Sequence, residues 1–297
     1  MGLPGSGGVP SMLAVARWGL NPTTAGNPLG DCFRGTIYTV RGDGTGLRKL
    51  ASDSTNMCGV GWPSVSPDGR TIAFATGADG DIYLIGSDGR NKRRLVTGSY
   101  PTWSPDGRRI AYSAAVAVPL AEGKVYGGYA LFVVGADGRR VRRLSRHGIA
   151  PDWSPDGKTI ASWGCQAAPQ GLCLLNAGGI YQRVLSRHGG TPSWSPDGKK
   201  IAYLSGPQYG VGIHVINADG SKPRLLPTPV FYKNWDCKLA WSPDGKWIAY
   251  TSGGMAGDSG EISLSSLDGH HIKKLPTIAA QNGCGVNWQT TRRTIHG

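Results

Sequence analysis

The string Trp103-Ser104-Pro105-Asp106-Gly107-Arg108-Arg109-Ile110-Ala111-Tyr112 constrains this chain more than any other, because it recurs. Close copies begin at Trp153, Trp194 and Trp241, and a worn copy begins at Trp288. Inside it, Ser-Pro-Asp-Gly has the chemistry of a tight turn: proline presets φ, aspartate tolerates the next position, and glycine takes the positive φ of the adjoining bulge. The tryptophan is a large apolar anchor on one side. On the other side, Arg/Lys-x-Ile-Ala-Tyr alternates with the period of two expected of a half-buried strand. Each copy therefore predicts a hairpin.

A second hairpin follows each copy at a variable distance. It reads Ile82 to Ile85, then Ser87-Asp88-Gly89, then Arg93-Arg94-Leu95. Equivalents run from Leu131, Leu172, Ile213 and Ile262. Each unit then holds four short strands. The tryptophan spacings of 50, 41, 47 and 47 residues fall in the range of propeller blades. The 47 glycines and 20 prolines sit mostly at fixed turn offsets, so they mark hairpin corners rather than disorder.

The two ends complement one another. Ile37 to Val40, Gly42-Asp43-Gly44 and Leu47 to Leu50 form a second hairpin with no first hairpin before it. Trp288 to Ile295 forms a first hairpin with no second after it. Joining them gives five whole blades, beginning at Ser66-Pro67-Asp68-Gly69, and one composite blade. The expectation is an all-β fold, a six-bladed β-propeller of four-stranded antiparallel blades whose last blade is closed by the N-terminal and C-terminal hairpins. Residues 1–30 are expected to be a flexible tail with one brief apolar patch around Met12 to Val15, and residues 31–297 the propeller.

These repeats resemble the TolB-type, WD-repeat-like β-propeller family, whose hallmark is the Trp-Ser-Pro-Asp-Gly-Lys/Arg-x-Ile-Ala-Tyr segment. The resemblance covers residues 31–297. One departure is Val65, which stands where tryptophan is expected, with Trp62 three residues earlier. The resemblance implies a non-enzymatic scaffold that binds a protein or cell-envelope partner.

Blade geometry sorts the loops. The Pro-Asp-Gly and Ala-Asp-Gly turns share one face, and the longer links share the opposite face at the channel mouth, where function concentrates. Candidate partner-binding residues there are Arg146 and Arg187 in the twin links Ser145-Arg146-His147-Gly148 and Ser186-Arg187-His188-Gly189. Phe231, Tyr232, Trp235 and Asp236 in the link from Pro227 to Lys238 join them. The rival reading is that these aromatics cap the blade core. His147 and His188, with Asp152 just before Trp153, are the candidates for catalysis as general acid and base on a sugar acid. That alternative makes the chain a glycan-active enzyme, a polysaccharide lyase or glycoside hydrolase. Duplication of one link explains the equivalence of the two histidines equally well.

Six cysteines, Cys32, Cys58, Cys165, Cys173, Cys237 and Cys284, fall in or beside mouth-face loops. An even count without Cys-x-x-Cys pairs favours disulfides over zinc, with buried reduced cysteines as the alternative. Cys165 and Cys173 flank one hairpin loop and form the best pair. Connectivity among the others is not readable. Disulfides imply an extracytoplasmic home, periplasmic or secreted, although the first thirty residues show no signal peptide.

The formal charge of +13 permits polyanion binding. Yet the basic residues follow the Pro-Asp-Gly turns or line the outermost strands, where they guard edges against pairing. Nucleic acid is not expected as a partner; a glycan is possible. No apolar run is long enough to span a membrane. No cofactor and no metal are expected.

Overall fold

The computed structural model describes residues 12–20, 33–41, 44–52, 60–76, 80–119, 125–205, 212–228, 238–252, 259–281 and 286–288. These form six four-stranded antiparallel sheets. The innermost strands touch one another in chain order and the last touches the first, so the sheets make a closed ring. Blades 1 to 5 occupy residues 60–97, 99–145, 149–186, 190–225 and 240–281. Blade 6 joins Val286–Trp288 to Met12–Leu20, Phe33–Arg41 and Arg48–Ser52.

Closure between the termini is as expected, but its division is different. The strand beside Val286–Trp288 is Met12–Leu20, pairing Leu13 with Trp288 and Val15 with Val286. The sequence reading placed residues 290–295 there, and these lie outside the described residues. Met12–Leu20 is therefore a blade strand and not part of a tail. It pairs along its whole length with Phe33–Arg41, and it buries Leu13, Ala14, Val15 and Ala16 almost completely.

The Ser-Pro-Asp-Gly turns form as their chemistry dictates. Gly69, Gly107, Gly157, Gly198 and Gly245 have φ between 69° and 72°. In each turn the serine hydroxyl donates to the Oδ1 of the aspartate two residues later, and it accepts the N–H that re-enters the next strand. The following Ile-Ala-Tyr strand differs from the sequence expectation of one wet face. Ile110, Ala111 and Tyr112 are all buried, as are Ile201, Ala202 and Tyr203. A propeller blade is covered on both faces by its neighbours, so alternation in residue type becomes alternation between two core layers.

The innermost strands carry a shared irregularity. Trp62, Tyr100, Ala150 and Thr191, each three residues before the tryptophan position, have φ of 41° to 53°. Each lies at a register shift in the pairing of its strand. Bulges of this kind steepen local twist, which an inner strand needs where it curves round a narrow axis. The rings of Trp62 and Tyr100 meet there at a tilt of 31°, with centroids 4.1 Å apart.

Two sets of bonds tie the blades together. On the outer rim, an arginine from five of the six blades reaches forward one blade to a turn carbonyl. Arg48 donates to Asp88, Arg93 to Ala136, Arg142 to Gly178, Arg183 to Ala218 and Arg224 to Leu267. These arginines, read from sequence as edge guards, are clasps. On the inner rim, three of the residues preceding a tryptophan position accept from the next blade through their side chains. Asn287 accepts from Val65 N–H at 2.8 Å, Ser64 from Trp103 N–H at 3.3 Å, and Asp152 from Trp194 N–H at 2.7 Å.

Candidate functional site

Two regions hold the residues singled out by sequence: the mouth-face links and the inner rim. Each twin link is built around a glycine at positive φ, and the Gly148 and Gly189 N–H groups donate to the carbonyls of Tyr129 and Gln170. A Cβ at Gly189 would sit 2.6 Å from the Tyr203 ring, so the position admits only glycine. The links thereby present the preceding residues outward. Arg146, Arg187 and His188 are exposed, and His147 is half-buried. The hydrogen bonds of both histidines run through the backbone, with His147 N–H donating to Ser145 Oγ and His188 N–H to Ser186 Oγ.

Asp152 is engaged elsewhere. It lies on the inner rim of blade 3, where its Oδ1 accepts from Thr102 Oγ of blade 2 at 3.2 Å while its Oδ2 holds Trp194 of blade 4. One carboxylate thus joins three blades. Its surface is partly accessible. Burial pushes its carboxyl up to about 6, against the opposing pull of the Trp194 N–H, Lys238 and Thr102.

Its charged partner is Lys238, which is 9% exposed. Burial lowers the Lys238 ammonium to about 8, and Asp152 counters that shift. Lys238 Nζ donates to the Pro101 carbonyl at 2.9 Å. Blades 5 and 2 stand opposite each other in a ring of six, so this lysine crosses the channel. The result is a brace of Lys238, Pro101, Thr102 and Asp152 at the ring's centre.

Sequence reasoning nominated Asp152 for chemistry with the histidines and passed over Lys238. None of the described partners of Asp152 is a histidine. A comparison down the repeat columns carries the missed signal. Lys238 occupies the bulge position held elsewhere by Trp62, Tyr100, Ala150 and Thr191, and Asp152 the position held by Ser64, Thr102, Ser193 and Ala240. A single charge in an otherwise neutral buried column calls for a partner.

Cys165 and Cys173 form a disulfide with Cα atoms 6.2 Å apart, across the mouth-face hairpin loop of blade 3. Cys32, Cys58, Cys237 and Cys284 lie outside the described residues, as do Phe231, Tyr232, Trp235 and Asp236. Among the described residues no cluster of three or more His, Cys, Asp or Glu side chains could hold a metal ion. No described helix is long and apolar enough to cross a membrane.

Six four-stranded blades, the last joining strands from both ends of the chain, with a braced channel and a Ser-Pro-Asp-Gly turn on the first hairpin of blades 1 to 5, define a six-bladed β-propeller. A profile of the TolB beta propeller domain matches residues 100–283, more than half of the chain, and the chain belongs to that family. Among solved structures it is similar to TolB from Acinetobacter baumannii, at 22% identity and a TM-score of 0.72, covering 95% of this chain and 67% of that one. A putative TolB from Agrobacterium tumefaciens gives 19% identity and a TM-score of 0.61, covering 91% and 89%. An oligogalacturonate lyase from Vibrio parahaemolyticus gives 14% identity and a TM-score of 0.52, covering 82% and 73%. At these identities the likeness is one of fold. No curated protein matches the sequence significantly.

Proposed function

We propose that this chain is a non-enzymatic, extracytoplasmic scaffold that binds a protein or cell-envelope partner through its channel-mouth links. The observation that carries the reading is the employment of Asp152. The carboxylate nominated for acid–base work is bonded to blades 2 and 4 and charge-paired with Lys238, so it serves the ring. The links, meanwhile, hold Arg146, Arg187 and His188 out to solvent on glycine-locked backbones. Side chains displayed on a rigid frame are what recognition needs. The Cys165–Cys173 bond supports an oxidising compartment, and the family supports a binding role.

The test is capture of a partner from a cell-envelope extract by the folded chain. Arg146→Glu with Arg187→Glu is expected to reduce recovery about tenfold, while Lys158→Glu with Lys199→Glu on the turn face leaves it unchanged. Equal loss from both pairs overturns the assignment to the mouth face. The solved lyase neighbour motivates a parallel assay for unsaturated uronate products from oligogalacturonate. Turnover that disappears in His147→Ala or His188→Ala would replace the scaffold reading with the glycan-active one.

A further inference from the structure

The face opposite the mouth carries a groove of about 1080 Å³ between blades 1 and 2, lined by Asp68, Thr71, Asp88, Trp103 and Asp106 among others. Its floor is the indole of Trp103. That tryptophan is partly exposed, whereas its repeat equivalents Trp153, Trp194, Trp241 and Trp288 are 5%, 8%, 2% and 7% exposed. One position facing these indoles varies, the residue just after Pro-Asp-Gly-Arg/Lys in the preceding blade. It is Arg109 before Trp153, Lys200 before Trp241 and Trp247 before Trp288. At the two remaining junctions it is threonine: Thr159 before Trp194 and Thr71 before Trp103. Trp194 is nonetheless buried, so among the described junctions only the one at Trp103 combines a short residue with a partly exposed indole.

Blades 2 and 3 show what a filled junction contains. The Arg109 guanidinium lies over the Trp153 ring, 5.0 Å from its centroid. A cation on an indole face is attracted by the ring quadrupole. Between blades 1 and 2, Thr71 is too short to reach Trp103, and the space that a long cationic side chain occupies one junction further on is open. We propose that this groove is a docking site for an arginine or lysine side chain of a partner peptide, which supplies in trans the cation that Arg109 supplies in cis.

The charges around the groove agree. The hydrogen bonds of the turns fall on Oδ1 of Asp68, Asp88 and Asp106, and all three residues line the groove. Asp68 and Asp106 are held below the usual carboxyl range by hydrogen bonds from Ser66 and Ser104 and from the backbone, despite some burial, so they are ionised at neutral pH. Of the two arginines at the groove, Arg93 is already bonded to the Ala136 carbonyl and Arg70 is exposed. The lining itself carries three carboxylates and two guanidiniums, with Arg48 bonded to the Asp88 carbonyl and Arg108 and Arg109 acting on Asp106 from beside it. The site lies on the turn face and is independent of the mouth-face reading.

The test uses the full chain with its ten tryptophan indoles labelled with ¹⁵N, titrated with a capped Gly-Gly-Arg-Gly-Gly peptide and its citrulline counterpart, which keeps the shape and removes the charge. The arginine peptide is expected to shift the Trp103 indole resonance, identified by its loss in Trp103→Phe, and to bind about tenfold more tightly than the citrulline peptide. Thr71→Arg is expected to abolish the titration by filling the groove from within, leaving the other indoles in place. Thr71→Ser is expected to retain it. Equal binding of the two peptides, unchanged binding to the Thr71→Arg chain, or a Trp103 resonance that does not move would each overturn the proposal.

Discussion

Asp152 and Lys238 show how a residue can be costly and still define a structure. The folded state raises the Asp152 carboxyl to about 6 from an ordinary 3.8 and lowers the Lys238 ammonium to about 8 from 10.5. A raised carboxyl value favours the fold fully below 3.8, and that contribution is lost as pH rises through 6. A lowered ammonium value favours the fold fully above 10.5, and that contribution is lost as pH falls through 8. Near pH 7 both contributions are absent and the charged pair sits in the channel at a cost. Thermal unfolding followed between pH 7 and pH 5 is therefore expected to show rising stability in the natural chain and a flatter profile in Asp152→Asn. Lys238→Met alone is expected to destabilise, since it strands the carboxylate, by about 3 kcal/mol, and adding Asp152→Asn is expected to recover most of that loss. The turn aspartates Asp68, Asp106, Asp156 and Asp197 have depressed values and act in the opposite sense, withdrawing stability only as pH falls below 3.8. Each charge is legible as a departure in its repeat column, but that Asp152 and Lys238 act on one another is not, because they do so across a ring that the sequence does not display.

At the scale of the single blade, sequence and structure agree wherever turn chemistry decides the matter. Ser-Pro-Asp-Gly can do little except turn, and every copy from Ser66 to Ser242 does so with the same serine–aspartate bond. The strand Met12–Leu20 was not legible because it lacks that signature. It sits second in its blade, where the other blades have a Pro-Asp-Gly turn before it, and here the chain instead arrives from its own beginning. The blade 3 hairpin shows the complementary case, since Cys165 and Cys173 flank one loop and the bond is there. Closing so short a loop is worth about 2.5 kcal/mol on chain-entropy grounds. Cys165→Ser with Cys173→Ser is expected to lower the unfolding midpoint by that measure, read by denaturant titration, and added reductant is expected to have no further effect through this loop.

For the whole molecule, the inner-rim bonds and the outer arginine clasps act on the same junctions, so a loosened junction weakens both of its neighbours. Removing Val286–Trp288 with the residues after it deletes the first strand of blade 6 and exposes the inner edge of Met12–Leu20. That truncation is expected to lower stability of all six blades together, giving one earlier cooperative transition by calorimetry rather than local fraying. Two separate transitions would show that the blades melt independently. The number of blades was legible because repeats count themselves. The brace and the open groove were not, because each depends on which side chains the ring brings together across blade junctions. The seam in blade 6 also sets how the molecule would respond to a pull. With Leu13, Ala14 and Val15 lying against Trp288, Asn287 and Val286, tension applied at Met12 and Trp288 would load three rungs of a short zipper first. The toroid should unfasten there at modest force and then unwind one petal after another.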